Sequence, residues 1–274
     1  MTNATILGCG YVGKVVAKEW RSRNLKVTAT TTTPSRVSEL AAIAHHVEVL
    51  RGHDEAALHR LLSQQETLLV SIGAPAPDAY EATYDHTTKA LAAVVPHLPN
   101  LTQIIYTSSY SVYGDRQGAW VTEESPAQPS HRNGEILLEA ENRLLALATE
   151  NRAVCILRLG GIHGPNRELV KIFRPVAGTT RPGTGEDASN WIHLDDIVGA
   201  IEFARQQSLS GLYNLVHDTP WTTRDLLDRL CDRHDLPKVS WNPSASSNRP
   251  YNARVSNQKL KAAGYSFIHP ELVV

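Results

Sequence analysis

Ala4-Thr5-Ile6-Leu7 runs straight into Gly8-Cys9-Gly10-Tyr11-Val12-Gly13, and this order of strand, tight turn and helix start constrains the fold more than any other stretch. The first glycine permits the turn, the second lets backbone amides approach a pyrophosphate, and the third lets the helix pack close on the strand. Gly8, Gly10, Tyr11, Val12 and Gly13 are therefore expected to hold phosphates at a helix N-terminus, where N–H groups and the helix dipole favour anions. A purely structural turn is the alternative for glycines at this spacing.

The rest of the chain alternates apolar strands with amphipathic helices. Residues 14–24 have helical spacing, Leu25–Thr30 reads as a strand, Val37–Ala44 as a helix and His46–Leu50 as a strand. Glu55–Leu62 is helical, Thr67–Ile72 a strand ending at Gly73, and Tyr80–Val95 a long helix. Gln103–Thr107 is a strand, Glu135–Thr149 an amphipathic helix and Ala153–Leu159 a strand. Such alternation predicts an α/β fold, a Rossmann-type doubly wound parallel sheet with helical crossovers on both faces. Ligands in these sheets bind at the carboxyl ends of the strands. Ser71, Ile72 and Gly73 after the fourth strand, and Ser108 after the fifth, fall there and join the expected cofactor contacts.

With 274 residues the chain is long enough for a full core. Its net charge of −1 argues against a nucleic-acid or anionic-membrane partner. No apolar run reaches bilayer length, and no charged segment followed by an apolar one suggests a signal peptide. Cys9, Cys155 and Cys231 lie far apart without a CxxC pair, which suits a reducing cytosol and predicts a cytoplasmic protein. The 12 histidines form no HExxH, and the adjacent His45 and His46 diverge on either a helix or a strand. Solvated or structural roles are expected for them, with no metal.

A carboxylate near the end of the second strand marks NAD through the ribose hydroxyls. Here that region is Thr30-Thr31-Thr32-Thr33-Pro34-Ser35-Arg36, without Asp or Glu. Hydroxyls such as Thr31, with the guanidinium of Arg36, suit a 2′-phosphate, so NADP is preferred to NAD. A surface arginine opening the next helix is the other reading. His53 and Asp54 follow the third strand where an adenine edge is expected, or where an exposed turn would lie.

Further motifs follow in order. Tyr106-Thr107-Ser108-Ser109-Tyr110-Ser111-Val112-Tyr113-Gly114-Asp115 resembles the SSxxVYGD segment of extended short-chain dehydrogenases/reductases, the family of nucleotide-sugar epimerases and dehydratases. Arg158 to Pro165 resembles RxxNxYGP, and Trp191-Ile192-His193-Leu194-Asp195-Asp196-Ile197 resembles xIHVDDxx. Gly211 to Leu215 resembles GxYNx, and Arg254 to Leu260 the closing kkvsxxkL segment. The resemblance spans nearly the whole chain.

It implies a Ser/Thr and a Tyr-x-x-x-Lys that exchange a proton with the substrate oxygen while hydride moves to or from nicotinamide. Ser109 matches the family serine. Counting back from Glu141, the tyrosine position is Asn133 and the lysine position Leu137, which is expected to be a packing residue. The asparagine and tyrosine of RxxNxYGP are Gly161 and His163. This pattern resembles an atypical subgroup, the YeeZ-like proteins, that keeps the fold and lacks the pair. Ser109, Tyr113 and His163 are the candidate catalytic residues, in that order. Tyr110 and Arg132 are further possibilities, the latter as fixed positive charge. Packing is the alternative for His163 and the tyrosines, and an exposed loop for Arg132.

Between Pro165 and Asn190 the chain loses strand character and carries Arg167, Lys171, Arg174 and Arg181. The tail adds a helix, Thr223–His234, and Asn248-Arg249-Pro250. The resemblance implies a dinucleotide-binding domain over 1–164 with 190–217 returning to it, and a small substrate lobe from 165–189 and 218–274. Arg249 and Arg174 would hold an anionic group there, solvated charges being the alternative. Together these readings predict an NADP(H)-binding oxidoreductase or epimerase-like enzyme with a small-molecule substrate, as a monomer or homodimer. The competing class is a non-catalytic cofactor-binding sensor.

Overall fold

The computed structural model describes residues 2–247 and 249–272, so Asn248 and the last two residues of the predicted 218–274 segment lie outside the described residues. Strand β1 (Asn3–Leu7) leads through the glycine turn into α1 (Tyr11–Ser22). Then come β2 (Lys26–Thr31), α2 (Val37–Ala41), β3 (His46–Val49), α3 (Glu55–Leu62), β4 (Thr67–Val70), α4 (His86–Val94) and β5 (Gln103–Ser109). They are followed by β6 (Asp115–Val121), α5 (Arg132–Leu145), β7 (Ala153–Leu159), β8 (Gly161–His163) and α6 (Leu169–Phe173). Next are β9 (Thr180–Pro182), β10 (Ala188–Ser189), β11 (Trp191–His193), α7 (Leu194–Gln206) and β12 (Gly211–Leu215). The tail holds β13 (Trp221–Thr222), α8 (Thr223–Arg233), β14 (Ser240–Asn242), β15 (Asn252–Val255) and α9 (Gln258–Ala262).

These elements form two compact units. The first comprises the chain up to Ser108, Glu135–Arg158 and Val198–Tyr213; the second comprises Ser109–Gly134, Leu159–Ile197 and the chain from Asn214. Among the described residues the first unit is built on a seven-stranded sheet ordered β12-β7-β5-β4-β1-β2-β3. β1 pairs in parallel with both β2 and β4, β2 with β3, and β4 with β5. The direction of winding reverses between β1 and β4, the switch point of a Rossmann-type doubly wound sheet. The predicted fold class is the observed one.

Period-2 alternation divides each strand between two buried faces. Leu7, Leu68, Val70, Ile104 and Ile156 pack with Leu58, Leu91 and Leu144 of α3, α4 and α5. The intervening Ile6, Leu69, Ile105 and Leu157 are also fully buried, as are Val16, Ala17 and Trp20 of α1. Burial of each such aliphatic side chain contributes roughly 1.5–3 kcal/mol. Strands covered on both sides read as continuous apolar runs, which is why they were legible.

Helix boundaries differ from expectation where a polar group or a proline intervenes. The long helix over 80–95 is a π turn (Glu81–Asp85), then α4, then a 3-10 turn (Val95–His97). Pro96 ends α4 because its nitrogen cannot donate. The π turn brings Asp85 inside, where Lys89 Nζ lies 2.8 Å and Arg143 Nη2 3.0 Å from its carboxylate. Helix α5 starts at Arg132 and stops at Leu145 instead of spanning 135–149. In α2 the regular helix ends at Ala41.

The strandless reading of 165–190 is corrected in the second unit. β9 pairs in parallel with β14, and β10 antiparallel with β13. Their partners lie far along the chain, so no local pattern announces them. β6 and β15 form another two-stranded ladder, and β8 pairs with β11. No helix among the described residues is long and apolar enough to cross a membrane.

Candidate functional site

The glycine turn divides its three positions as the motif requires. Gly8 has φ +92°, and a Cβ there would stand 2.6 Å from the Ser71 carbonyl oxygen. A Cβ on Gly13 would meet Gly8 O at 2.7 Å and Ile6 Cγ2 at 3.1 Å. At Gly10 nothing lies within 4 Å of that position. Two glycines thus allow close backbone packing, and the third leaves open space above the loop. The loop is pinned from below: Gly8 N–H donates to Thr30 Oγ1 and Cys9 N–H to Thr30 O, both at 3.0 Å. Lys14 N–H makes the first intrahelical bond, to Gly10 O. The first turn of α1, with Tyr11, Val12 and Gly13, therefore points its N-terminal amides out of the helix end. These features fit a dinucleotide pyrophosphate. Cys9 is buried beneath the loop, and burial pushes its thiol up to about 11.

Arg36 lies at this loop. Its Nη2 donates to the Cys9 carbonyl at 3.0 Å and its Nε to Glu39 Oε2 at 3.2 Å. Lys14 Nζ donates to the other oxygen of Glu39 at 2.8 Å. The two cations and the carboxylate between them were not all visible in sequence, since Glu39 and Lys14 sit outside the strand-end motif. Thr31 Oγ1 accepts from Thr33 N–H at 3.1 Å and shapes the turn. Asp54 caps α3 by accepting from Ala57 N–H at 2.9 Å, while His53 is exposed beside His86. Ser71 N–H donates to Leu7 O, its Oγ accepts from Thr107 Oγ1 at 3.3 Å, and Ile72 and Gly73 continue at the same strand end.

The hydroxyl of Ser108 is held elsewhere. It donates to Glu141 Oε1 at 2.6 Å, within a buried fork in which Arg158 also binds that carboxylate. Sequence reading missed this ion pair, although Glu141 on the apolar face of α5 was its signal. Leu137 is buried, as expected of a packing residue at the lysine position.

In the second unit, Ser109 is partly exposed, and its Oγ accepts from Ser111 N–H at 3.2 Å. Tyr113 is fully buried and its hydroxyl donates to Asn214 Oδ1 at 2.9 Å. That bond is part of a closed network, with Glu123 accepting from Asn214 N–H and Ser256 O from Asn214 Nδ2. The Tyr113 hydroxyl is thus engaged in the interior of this unit. Tyr110 differs: Arg249 Nη2 donates to its oxygen at 2.7 Å, and Arg249 Nη1 to Thr223 Oγ1 at 3.0 Å. Burial raises the Tyr110 phenol, and the Arg249 guanidinium opposes that shift. Arg174 is exposed in a 3-10 turn after α6.

His163 is buried against Trp191 and two further imidazoles, 5.0 Å from the His193 ring and 5.1 Å from that of His217. Its Nε2 lies 3.3 Å from His217 Nε2, so one ring donates and the other accepts. Burial, reinforced by neighbouring histidines, lowers His163 to about 4 and His217 to about 3. Both are neutral at pH 7, and His163 has no proton to give as an imidazolium there.

The model of the NAD dependent epimerase/dehydratase family matches residues 4–215. Protein YeeZ of Escherichia coli is 33% identical over 225 residues, 78% of this chain and 77% of its own. A conserved protein of unknown function from Silicibacter pomeroyi DSS has a TM-score of 0.78 at 23% identity, over 99% of this chain and 95% of that one. The dTDP-glucose 4,6-dehydratase of Bacillus anthracis, solved in complex with NAD, has a TM-score of 0.78 at 15% identity, over 96% of this chain and 90% of that one. At those identities the two structures speak for the fold. The family match carries more, since it runs from the glycine cradle to the end of β12, and with it the chain belongs to the NAD dependent epimerase/dehydratase family.

Proposed function

We propose that the protein is an NADP(H)-binding oxidoreductase or epimerase-like enzyme acting on a small polar or anionic substrate, with a non-standard acid/base group. The observation that carries this reading is the loop itself: open space at Gly10, packed glycines on either side, and Arg36 bonded to the Cys9 carbonyl. The glycine loop would hold the pyrophosphate, and Arg36 with Lys14 would take the 2′-phosphate as Glu39 releases them. When bound, the nicotinamide supplies or accepts a hydride at C4.

Ser109 is the first candidate to hold the substrate oxygen. Tyr110 is the phenol best supported for proton transfer, because Arg249 at 2.7 Å can stabilise a phenolate as the family lysine would. The segments 165–189 and 218–274 are proposed to carry the substrate contacts, with Arg249 and Arg174 as anion holders. Cys9, Cys155 and Cys231, all buried and outside any disulfide, suit a cytoplasmic setting.

One observation favours the sensor reading as a second possibility. Tyr113 and His163 are both buried, and Asn133 and Leu137 occupy the positions of the usual pair. NADPH deuterated at C4 distinguishes the two when presented with anionic carbonyl compounds. Label moving to a product, with loss in Ser109→Ala or Tyr110→Phe, is the expected result. Cofactor binding without any label transfer favours the sensor, and failure to bind either cofactor overturns both.

A further inference from the structure

His193 ends β11, and Asp195 stands two residues on in the first turn of α7. His269 reaches them from the tail, 74 residues beyond Asp195. Asp196 brings it there. Its fully buried carboxylate accepts Ile268 N–H at 2.6 Å and His269 N–H at 3.0 Å, and Tyr265 donates to its carbonyl at 2.9 Å. The segment is thereby fastened to the start of α7. The His269 imidazole lies 3.9 Å from that of His193, and its Nε2 is 3.1 Å from Asp195 Oδ2.

His193 Nδ1 accepts the Asp195 N–H at 3.2 Å, so this nitrogen carries a lone pair. It also stands 3.4 Å from Asp195 Oδ2, which pairs with His269 Nε2 at 3.1 Å, so that three atoms able to ligate a cation converge. A cation seated between them would take the Nδ1 lone pair from the Asp195 N–H and bind the carboxylate as well. Zinc bonds of about 2.0–2.2 Å separate tetrahedral ligands by about 3.3–3.5 Å, close to the two distances observed here. The three ligand atoms lie within 4.8 Å of one another, and rotation of the partly exposed His269 ring closes the longest gap. The His163 ring packs edge-on against that of His193 from behind.

We propose that His193, Asp195 and His269 form a three-ligand site for a divalent transition-metal ion of the zinc type, with a fourth position open to solvent. Two imidazoles and one carboxylate select such borderline ions over Mg²⁺ and Ca²⁺, which prefer all-oxygen shells. The ion clamps the tail to α7 beside the Asp196 anchor. The site is independent of the dinucleotide reading.

Tag-free, chelator-treated protein titrated with Zn²⁺ in a calorimeter tests the proposal, with Mg²⁺ in parallel. Saturable binding of one Zn²⁺ per chain is expected, together with a rise in Tm and no response to Mg²⁺. Affinity should fall at least tenfold in each of His193→Gln, Asp195→Asn and His269→Gln, and stay unchanged in His97→Gln, which lies on the exposed turn after α4. Co²⁺ should give visible d–d bands of a tetrahedral site in the wild type and His97→Gln, and in none of the three ligand variants. If His193→Gln lowers the metal-free Tm, the variants at the more exposed Asp195 and His269 decide. No saturable Zn²⁺ binding, or binding unchanged in Asp195→Asn and His269→Gln, overturns the site.

Discussion

Arg158 grips Glu141 as a fork inside the first unit, with Nη2 2.6 Å from Oε2 and Nε 3.1 Å from both carboxylate oxygens. Both side chains are buried, and Ser108 donates the remaining bond. Replacing Glu141 by Gln leaves a guanidinium without its counter-charge in a low-dielectric interior. A loss of about 3–5 kcal/mol is expected in urea unfolding. Glu141→Leu with Arg158→Met should cost far less than the sum of the single changes. Strict additivity would show that the pair is not coupled.

The glycine loop separates folding from binding. Gly13→Ala drives a methyl into Gly8 O, and Gly8→Ala adds a strained φ, so both should lower Tm. Gly10→Ala meets open space and should leave Tm nearly unchanged while weakening dinucleotide binding at least tenfold. Calorimetric titration beside thermal unfolding checks all three. A Gly10→Ala protein that binds normally would remove the loop as the phosphate site.

Arg36 should decide the cofactor. NADPH is expected to bind more tightly than NADH, and Arg36→Ala to lose about 1.5–3 kcal/mol of NADPH affinity with little change for NADH. Because Glu39 bonds both Arg36 and Lys14, Glu39→Gln should tighten NADPH. Equal wild-type affinities for the two cofactors would count against the assignment.

Asp85 links stability to pH. Burial alone would raise its carboxyl, but Lys89 and Arg143 outweigh that and hold it below its ordinary value. A folded-state value below the unfolded one, near 3.9, means that the stabilisation is complete above it and is lost as pH falls through the folded value. Asp85→Asn should therefore cost about 1.5–3 kcal/mol at pH 7 and progressively less below about pH 4. Urea midpoints across that range measure the difference. A gap that widens on acidification would contradict the sign.

Tyr113→Phe removes the donor to a fully buried amide oxygen of Asn214. A loss of about 1–3 kcal/mol in stability is expected, with cofactor affinity unchanged. If label transfer is detected in the wild type, it should survive this change. Loss of transfer in a stable Tyr113→Phe protein would return Tyr113 to the catalytic candidates.

The order of strands and helices in the first unit, the close packing at Gly8 and Gly13 and the burial of Leu137 were legible in the sequence. Strand periodicity, helix spacing and φ restriction act over a few residues, so the chain declares them locally. The short ladders of the second unit were not legible, because β9 and β10 find their partners some tens of residues away. The chemistry of polar side chains depended still more on tertiary placement. Sequence order ranks Tyr113 and His163 behind Ser109 as candidates, but only the fold buries those two and ties them to Asn214 and His217. Asp196 likewise looked like one of two adjacent aspartates, yet it is the buried anchor that brings His269 beside Asp195. A side chain's burial and its partners are sums over distant contacts, and no local pattern contains that sum.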